Sequence, residues 1–480
     1  MASTSTKQPK KLRILLLPFF ATSHIGPFTD LAFHLAAARP DTVESTVAVT
    51  PANASIVQSA LARRGPVPGR GTVDVATYPF PAVDGLPPGI ENLSTVKATD
   101  GWRIDAAAAD ETLMRPVQES IIKVRSPDVI ITDMHFFWNS DVAFDLGIPC
   151  VTFHVIGAFP SMAMIQLGTA GVGDTDTATV VSIPHFPPPD ISLPVTKLPE
   201  FLKNQEMVHR FLHPMLSGLK KCFGLVSNTF IDLERDYCGL FVRNGHAKST
   251  YFVGPLALPN PSTLGSTSNS PCIEWLDTKP AQSVLYLCFG TLTHVTEAQL
   301  YELAIGLEAS RKPFLWVVRD SKWSPPEGWR ERVGDRGMLV AGWAPQTAIL
   351  QHPAVGAFVT HCGWNSVLET VTAGVPVLTW PMVFEQFITE RFVTEVLGIG
   401  ERLRPDGEGC EENELIPASA IAQTVVRFME ESGWSGNSAR IKVEELSMKA
   451  HAAVVEGGSS SCDLQSLIDD LMEARFGGEM

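Results

Sequence analysis

Short uninterrupted apolar runs alternate along this chain with longer stretches in which apolar side chains return every three or four positions, and Gly or Pro marks the joins. The runs predict strands buried on both faces and the stretches predict covering helices, which together describe an α/β fold built on parallel sheets. In the first half strands are expected at 14–17, 46–49, 73–77, 129–132, 150–153 and 224–228, with helices over 26–38, 53–62 and 140–146. The second half repeats the alternation, with strands at 283–289, 313–318, 337–341, 357–360 and 377–379 and helices at 296–309, 346–350 and 364–373. Helices at 417–431, 439–456 and 463–471 follow, with Gly457-Gly458-Ser459 as the break before the last. Between the halves, 256–271 reads LALPNPSTLGSTSNSP, too polar and too rich in Pro, Ser and Gly to order itself, and is expected to be a linker. Two independent α/β units joined in this way imply a cleft between them.

Composition narrows what the cleft can hold. A chain of 480 residues with 45% hydrophobic residues supplies two cores rather than one. Lys and Arg number 37 against 52 Asp and Glu, for a net charge of −15 with no basic block. That balance argues against a nucleic-acid partner or an anionic membrane surface, whose affinity comes mostly from phosphate neutralisation. A local site for an anionic ligand stays compatible with it, because main-chain N–H groups at a helix start supply a positive field. The apolar run 12–21 after Lys7, Lys10 and Lys11 mimics a leader peptide and is read as a first buried strand. No run approaches the ~20 apolar residues of a membrane span, so no stable membrane insertion is expected. The eight cysteines are dispersed and form no C-x-x-C pair, which fits a cytoplasmic protein without a disulfide framework.

The chemistry concentrates in 343–386, WAPQTAILQHPAVGAFVTHCGWNSVLETVTAGVPVLTWPMVFEQ. Thr360-His361-Cys362-Gly363 follows a strand and opens a helix on which Asn365 and Glu369, four apart, share a face. Gly363 allows close main-chain approach, and the helix start favours a diphosphate. Glu369, one turn deeper, is spaced to accept hydrogen bonds from sugar hydroxyls. Glu385-Gln386 lies beyond a strand's C-terminal end, where open parallel sheets bind ligands, and offers a carboxylate and an amide to a neutral sugar. Trp343 presents a stacking face for a base, with Ala344 and Gln346 at its polar edge. Each of these residues has an ordinary structural reading when taken singly; their order along one segment is what favours a nucleotide sugar.

This segment resembles the signature box of the plant secondary-product glycosyltransferases, the UDP-sugar-dependent family 1 enzymes. WAPQ, HCGWNS, GVPVLTWP and the terminal EQ carry the likeness, as do SNTFIDLE at 227–234, YFVGPL at 251–256, YLCFGT at 286–291 and EGGSSSCDL at 456–464. The resemblance implies the B-type glycosyltransferase fold (GT-B), two facing Rossmann-like β/α/β domains with an interdomain cleft. It places an acceptor-binding domain at 1–255, a linker at 256–271, a UDP-sugar domain at 272–458 and a terminal helix, 459–480, packing back on the first domain. It implies that Trp343, Ala344 and Gln346 hold uracil, Glu369 the ribose, and Thr291, His361, Gly363, Asn365 and Ser366 the diphosphate. Trp364, Glu385 and Gln386 would hold the transferred sugar, the terminal Gln being associated with glucose donors.

His24 follows the first expected strand, at the mouth of the cleft, where a neutral imidazole can take a proton from an incoming hydroxyl. The resemblance makes His24 the base and Asp133 the carboxylate that orients it; His135 and His154 stand in reserve. Here Ser23 replaces the family's usual Gly before the base, and Thr291 its usual Ser. Phe19, Phe20, Phe80, Phe136, Phe137 and Phe159 are candidates to line an aromatic acceptor pocket, and are equally suited to ordinary core.

The implied activity is that of an inverting UDP-glycosyltransferase, a hexosyltransferase of secondary metabolism. It would use UDP-glucose as co-substrate, no cofactor and no metal, and work as a cytoplasmic monomer on a flavonoid-like phenol. Other UDP-sugars, a terpenoid or hormone acceptor, and attack by a ring carbon of a polyphenol remain open alternatives. A Rossmann oxidoreductase lacks support, since no G-x-G-x-x-G follows the first strand.

Overall fold

The computed structural model describes residues 11–69, 71–172, 176, 179–258, 270–291, 295–319, 323–403, 415–430 and 434–477. Its strands are β1 Leu12–Leu17, β2 Val43–Val49, β3 Thr72–Thr77, β4 Val129–Asp133, β5 Cys150–His154, β6 Val180–Ser182, β7 Ser192–Pro194, β8 Gly224–Ser227, β9 Thr250–Phe252, β10 Val284–Cys288, β11 Phe314–Val318, β12 Gly337–Ala341, β13 Val355–Thr360, β14 Val377–Thr379 and β15 Gly400–Arg402. One sheet runs β3-β2-β1-β4-β5-β8-β9 and a second runs β12-β11-β10-β13-β14-β15, while β6 and β7 form a small hairpin. Every pairing in the two large sheets is parallel. In each sheet the strand order reverses once, between β1 and β4 and between β10 and β13. Loops leaving the C-terminal ends of such a strand pair turn to opposite faces and open a crevice.

The uninterrupted apolar runs are explained by burial on both faces: every residue of β4 and of β13 is buried. The leader-like run is β1, paired on both sides at the centre of its sheet. Helices α1 Thr22–Ala38, α2 Ala54–Arg64, α3 Gly101–Ala108, α4 Glu111–Arg125, α5 Asn139–Leu146 and α6 Ala158–Thr169 cover the first sheet and its loops. The start of α1 lies earlier than Gly26-Pro27 suggests, so His24 stands in a helical first turn rather than a loop. Pro27 is accommodated because the carbonyl it leaves unbonded, four residues back, finds another partner, described below.

α6 was not expected from the pattern, since nearly all of it is buried and it has no polar face to give a period. α4 was missed too, although Asp110 caps it by accepting from the N–H groups of Thr112 and Leu113. The helix Ser459–Phe476 lies on the first sheet, not the second. Its Leu467, Ile468 and Leu471 are buried in the cluster that holds Leu12 and Ile14, each such side chain worth about 2 kcal/mol. Asp470 accepts from the Tyr251 hydroxyl at 2.6 Å and Asp463 from the Phe252 N–H at 2.7 Å. Of the expected linker, residues 259–269 lie outside the described residues.

Candidate active site

β1 and β4 are neighbours, with Leu17 opposite Thr132, so the segments that follow them emerge side by side. His24 Nδ1 lies 2.8 Å from Asp133 Oδ2, and the Asp133 side chain is wholly buried. The other carboxylate oxygen meets His135 Nδ1 at 2.6 Å, and main-chain N–H groups of Phe19 and His135 each donate to the carboxylate at 3.2 Å. Burial pushes the Asp133 pKa up, but His24 and His135 outweigh it and hold the carboxyl well below the usual range. Asp133 is therefore an ionised, fully engaged acceptor that fixes both rings with Nδ1 inward. His24, Asp133 and His135 also bring one potential metal-ligand atom each within 4.8 Å of one another.

On the other sheet Cys288 pairs with Thr360, which brings Gly290, the neighbour of Thr291 in sequence, beside His361. The turn into the helix Trp364–Ala373 requires φ of +65° at Cys362, a conformation rare outside glycine. Thr360 supports it, its hydroxyl oxygen accepting from the Cys362 N–H at 3.2 Å. A methyl group at Gly363 would lie 2.4 Å from His361 Nε2, and one at Gly290 2.6 Å from the same atom, so the imidazole is clasped between two glycines. Burial lowers the His361 pKa to about 4, which keeps the ring neutral. Its Nδ1 has no hydrogen-bond partner among the described residues. A buried ring nitrogen in this state, beside free N–H groups of a helix start, is an open valence for a ligand.

One turn into the helix, Glu369 accepts from Gln346 Nε2 at 2.6 Å and from Thr347 Oγ1 at 3.2 Å, and the same amide reaches Ser366 Oγ at 3.1 Å. Tyr286 donates to Gln346 Oε1 and so fixes the amide's orientation. Trp343 follows β12 and is 68% exposed, while Ala344 beside it is buried. Gln386 is buried, and its Oε1 accepts from the N–H groups of Met382 and Val383, which turns its amide nitrogen outward from that loop.

The two halves are pinned together at this site. Asn365 Nδ2 donates to the Ser23 carbonyl at 2.9 Å, the carbonyl that Pro27 cannot serve. Trp364 Nε1 donates to the Asn228 carbonyl at 2.7 Å, and Arg319 to that of Ser94 at 3.0 Å. Loss of solvent raises the Glu385 pKa, and the charge of His24, acting from the other domain, opposes it. His24 and Glu385, from different domains, thus lie close enough for one to act on the charge of the other.

Two sets of expected residues take different places. The Trp364 ring is buried against Phe392 and its indole N–H is used on Asn228, so its side chain serves the interdomain contact and only its main chain is left at the helix start. Phe20, Phe136 and Phe159 are fully buried; Phe159 packs among Phe186, Tyr237 and Phe392 and has no surface to offer an acceptor. Phe80 packs edge-on to Phe20. Phe19, itself buried, stacks on His135 with ring centres 4.2 Å apart. Phe137 lines a narrow cavity of about 40 Å³ behind Asp133, with His154, Ser161, Met164, Phe201 and Leu216. Asn228, Ser94 and the buried Glu234, which caps α6 through the N–H groups of Ala158 and Phe159, were not foreseen. Their partners lie far off in sequence; only the SNTFIDLE segment hinted at two of them.

Two facing Rossmann-like domains built on parallel sheets are the GT-B architecture of glycosyltransferases. Residues 267–400 match the family model described as UDP-glucoronosyl and UDP-glucosyl transferase. The chain is 33% identical to UDP-glucose flavonoid 3-O-glucosyltransferase 7 of Fragaria ananassa, over 98% of this chain and 99% of that one. It is also 33% identical to scopoletin glucosyltransferase of Nicotiana tabacum, over 96% and 98%. Among solved structures, UGT73P12 of Glycyrrhiza uralensis complexed with glycyrrhetinic acid 3-O-monoglucuronide superposes with a TM-score of 0.85 at 29% identity, covering 98% of this chain and 97% of that one. UGT2 of Phytolacca americana, complexed with UDP-2fluoro-glucose and pterostilbene, superposes with a TM-score of 0.77 at 27% identity, covering 96% and 100%. The chain belongs to the plant UDP-glycosyltransferase family.

Proposed function

We propose that the enzyme transfers glucose from UDP-glucose, with inversion, to a hydroxyl of a small hydrophobic phenol of flavonoid type, releasing UDP and a β-glucoside. His24, its Nδ1 proton held by Asp133, takes the acceptor proton at Nε2 while the acceptor oxygen attacks the anomeric carbon from the face opposite UDP. Asp133 stabilises the imidazolium that forms. Uracil stacks on Trp343 with its edge at Ala344 and Gln346, and Glu369 takes the ribose hydroxyls. His361, Asn365, Ser366, Thr291 and the main chain at Gly363 and Trp364 bind the diphosphate as leaving-group charge develops. Glu385 and the Gln386 amide bind the glucose hydroxyls.

The observation that carries this reading is the bond from Asn365 to the Ser23 carbonyl. It ties the start of the donor helix to the residue next to the base. The printed names of the relatives, flavonoid and scopoletin glucosyltransferases, support glucose and a phenolic acceptor. No cofactor or metal enters the proposed steps; the Asp133 carboxylate is taken up by Nδ1 of both imidazoles and by two main-chain N–H groups. A cytoplasmic, monomeric enzyme is proposed with it. Seven described cysteines are unpaired, and no helix among the described residues is long and apolar enough to cross a membrane.

The test is turnover of UDP-glucose, with other UDP-sugars as competitors, against a panel of phenols, following UDP release and the anomeric configuration of the product. His24→Ala should lower kcat by about 10²- to 10⁴-fold with UDP affinity retained. Turnover of that variant at the native rate would sink the reading.

A further inference from the structure

The proposed reaction uses one imidazole, and the structure presents two. His24 and His135 both turn Nδ1 to the Asp133 carboxylate, at 2.8 and 2.6 Å. Each ring therefore carries its Nε2 on the far side, away from the buried carboxylate. Neither Nε2 forms a hydrogen bond among the described residues, and the side chains are 18% and 38% exposed, against 0% for Asp133. The rings stand 5.4 Å apart at 67°, and Phe19 braces both, stacked on His135 at 4.2 Å and tilted to His24 at 5.1 Å. This is a forked arrangement with two outward nitrogens on one fixed carboxylate. Packing alone does not call for a second imidazole here, since an apolar ring would stack on Phe19 equally well.

Two rings with centres 5.4 Å apart, each with Nε2 turned from the carboxylate, can engage two oxygens of a single acceptor. Resting on the proposed role of His24 as base, we propose that His135 is a specificity residue whose Nε2 binds a second oxygen next to the hydroxyl that is glycosylated. The acceptor class selected is the vicinally dioxygenated one, the catechol type above all. His24 takes the proton of one hydroxyl while His135 holds the neighbouring oxygen and fixes which of the two attacks.

The charges around the pair define the state of His135. Loss of solvent works against its protonation, but the Asp133 carboxylate and, more weakly, Asp105 of α3 outweigh it and raise its pKa. His24 faces it from α1, and the neutral His154 from β5 has its pKa lowered to about 4 by burial. Glu385 reaches the pair through His24 from the second domain. Through Nε2, His135 shares a hydrogen bond with the second oxygen while its Nδ1 shares the carboxylate with His24.

The test uses the full-length enzyme with two acceptors that differ by one hydroxyl, a catechol and the matching monophenol, and reads the ratio of their kcat/KM values. One hydrogen bond, with the cost of leaving its partner unmade in the monophenol, predicts a native preference of about 5- to 100-fold for the catechol. In His135→Asn the amide can keep the bond to Asp133 but has no outward nitrogen, and in His135→Phe the stack on Phe19 is kept without either. In both the ratio should fall to about 1. A purely structural role would lower both kcat/KM values together and leave their ratio where it was. A native ratio near 1, or a preference that survives in both variants, overturns the inference. Loss of all transfer in His24→Ala together with either of those results would refute this inference alone and leave the base assignment standing. Native turnover in His24→Ala would refute the underlying reading.

Discussion

The side-chain amide of Asn365 donates to the main-chain carbonyl of Ser23 across the interdomain cleft, at 2.9 Å. That carbonyl is available because Pro27, four residues on, has no N–H to give it. A proline that looks like a helix breaker in the sequence thus frees the carbonyl that ties the residue before His24 to the helix Trp364–Ala373.

Asn365→Asp places a carboxylate oxygen against that carbonyl in place of a donor. The predicted result is a fall in kcat/KM of about 10- to 100-fold, from a lost hydrogen bond compounded by repulsion. Steady-state kinetics with UDP-glucose would measure it, and an unchanged value would show that the contact does not set the geometry of transfer.

Trp343 is largely exposed and contributes little to the fold, so Trp343→Ala should change stability by less than about 0.5 kcal/mol. Removing a stacking face for uracil should weaken UDP binding by roughly 5- to 100-fold. Titration calorimetry with UDP reads the second quantity and thermal melting the first. Equal UDP affinity in the variant would remove the indole from the donor site.

Gly363 and Gly290 clasp His361 from two sides, but their main chains differ. Gly363 has φ of −62°, which alanine adopts freely, whereas Gly290 has φ of +74°. Gly363→Ala should therefore weaken UDP binding, by about tenfold or more, through displacement of the His361 ring. Gly290→Ala should in addition cost about 1 kcal/mol of stability from the left-handed conformation. Comparing Tm and UDP affinity for the two variants separates the effects.

Acid should destabilise the protein over a defined window. Burial lowers His34, His154 and His361 from 6.5 to about 4, so between those values the unfolded chain binds protons that the folded one refuses. A depressed folded-state pKa gives stability that is present above pH 6.5 and is lost as pH falls towards 4. The urea midpoint should drop steeply across that range, with a slope that includes up to three protons from these residues. His154→Phe should lower the slope by about one proton; an unaltered slope would mean that His154 titrates normally.

How much of this was legible beforehand depended on the range over which each signal acts. The helix Trp364–Ala373 was bounded correctly because Gly363 and Gly374 flank it and its apolar face is regular. α6 was invisible because a helix buried all round has no period to detect. Asp133 is named by the family resemblance, whereas its contact with His135 is not. Nothing in the local sequence says that both oxygens of one carboxylate face histidines. The use of Trp364 on Asn228 and of Phe159 in the core arises from pairings more than a hundred residues apart, which composition and spacing do not encode.

The helix Ser459–Phe476 has a consequence for how the chain is made. The first sheet is synthesised early, yet the face that includes Leu12 and Ile14 waits for Leu467, Ile468 and Leu471, which leave the ribosome several hundred residues later. The early lobe is thus the last to mature, and its nascent form carries a sticky apolar surface through most of translation. Once that helix docks, the polypeptide has crossed between the lobes in both directions, and two chain connections rather than one tie them together.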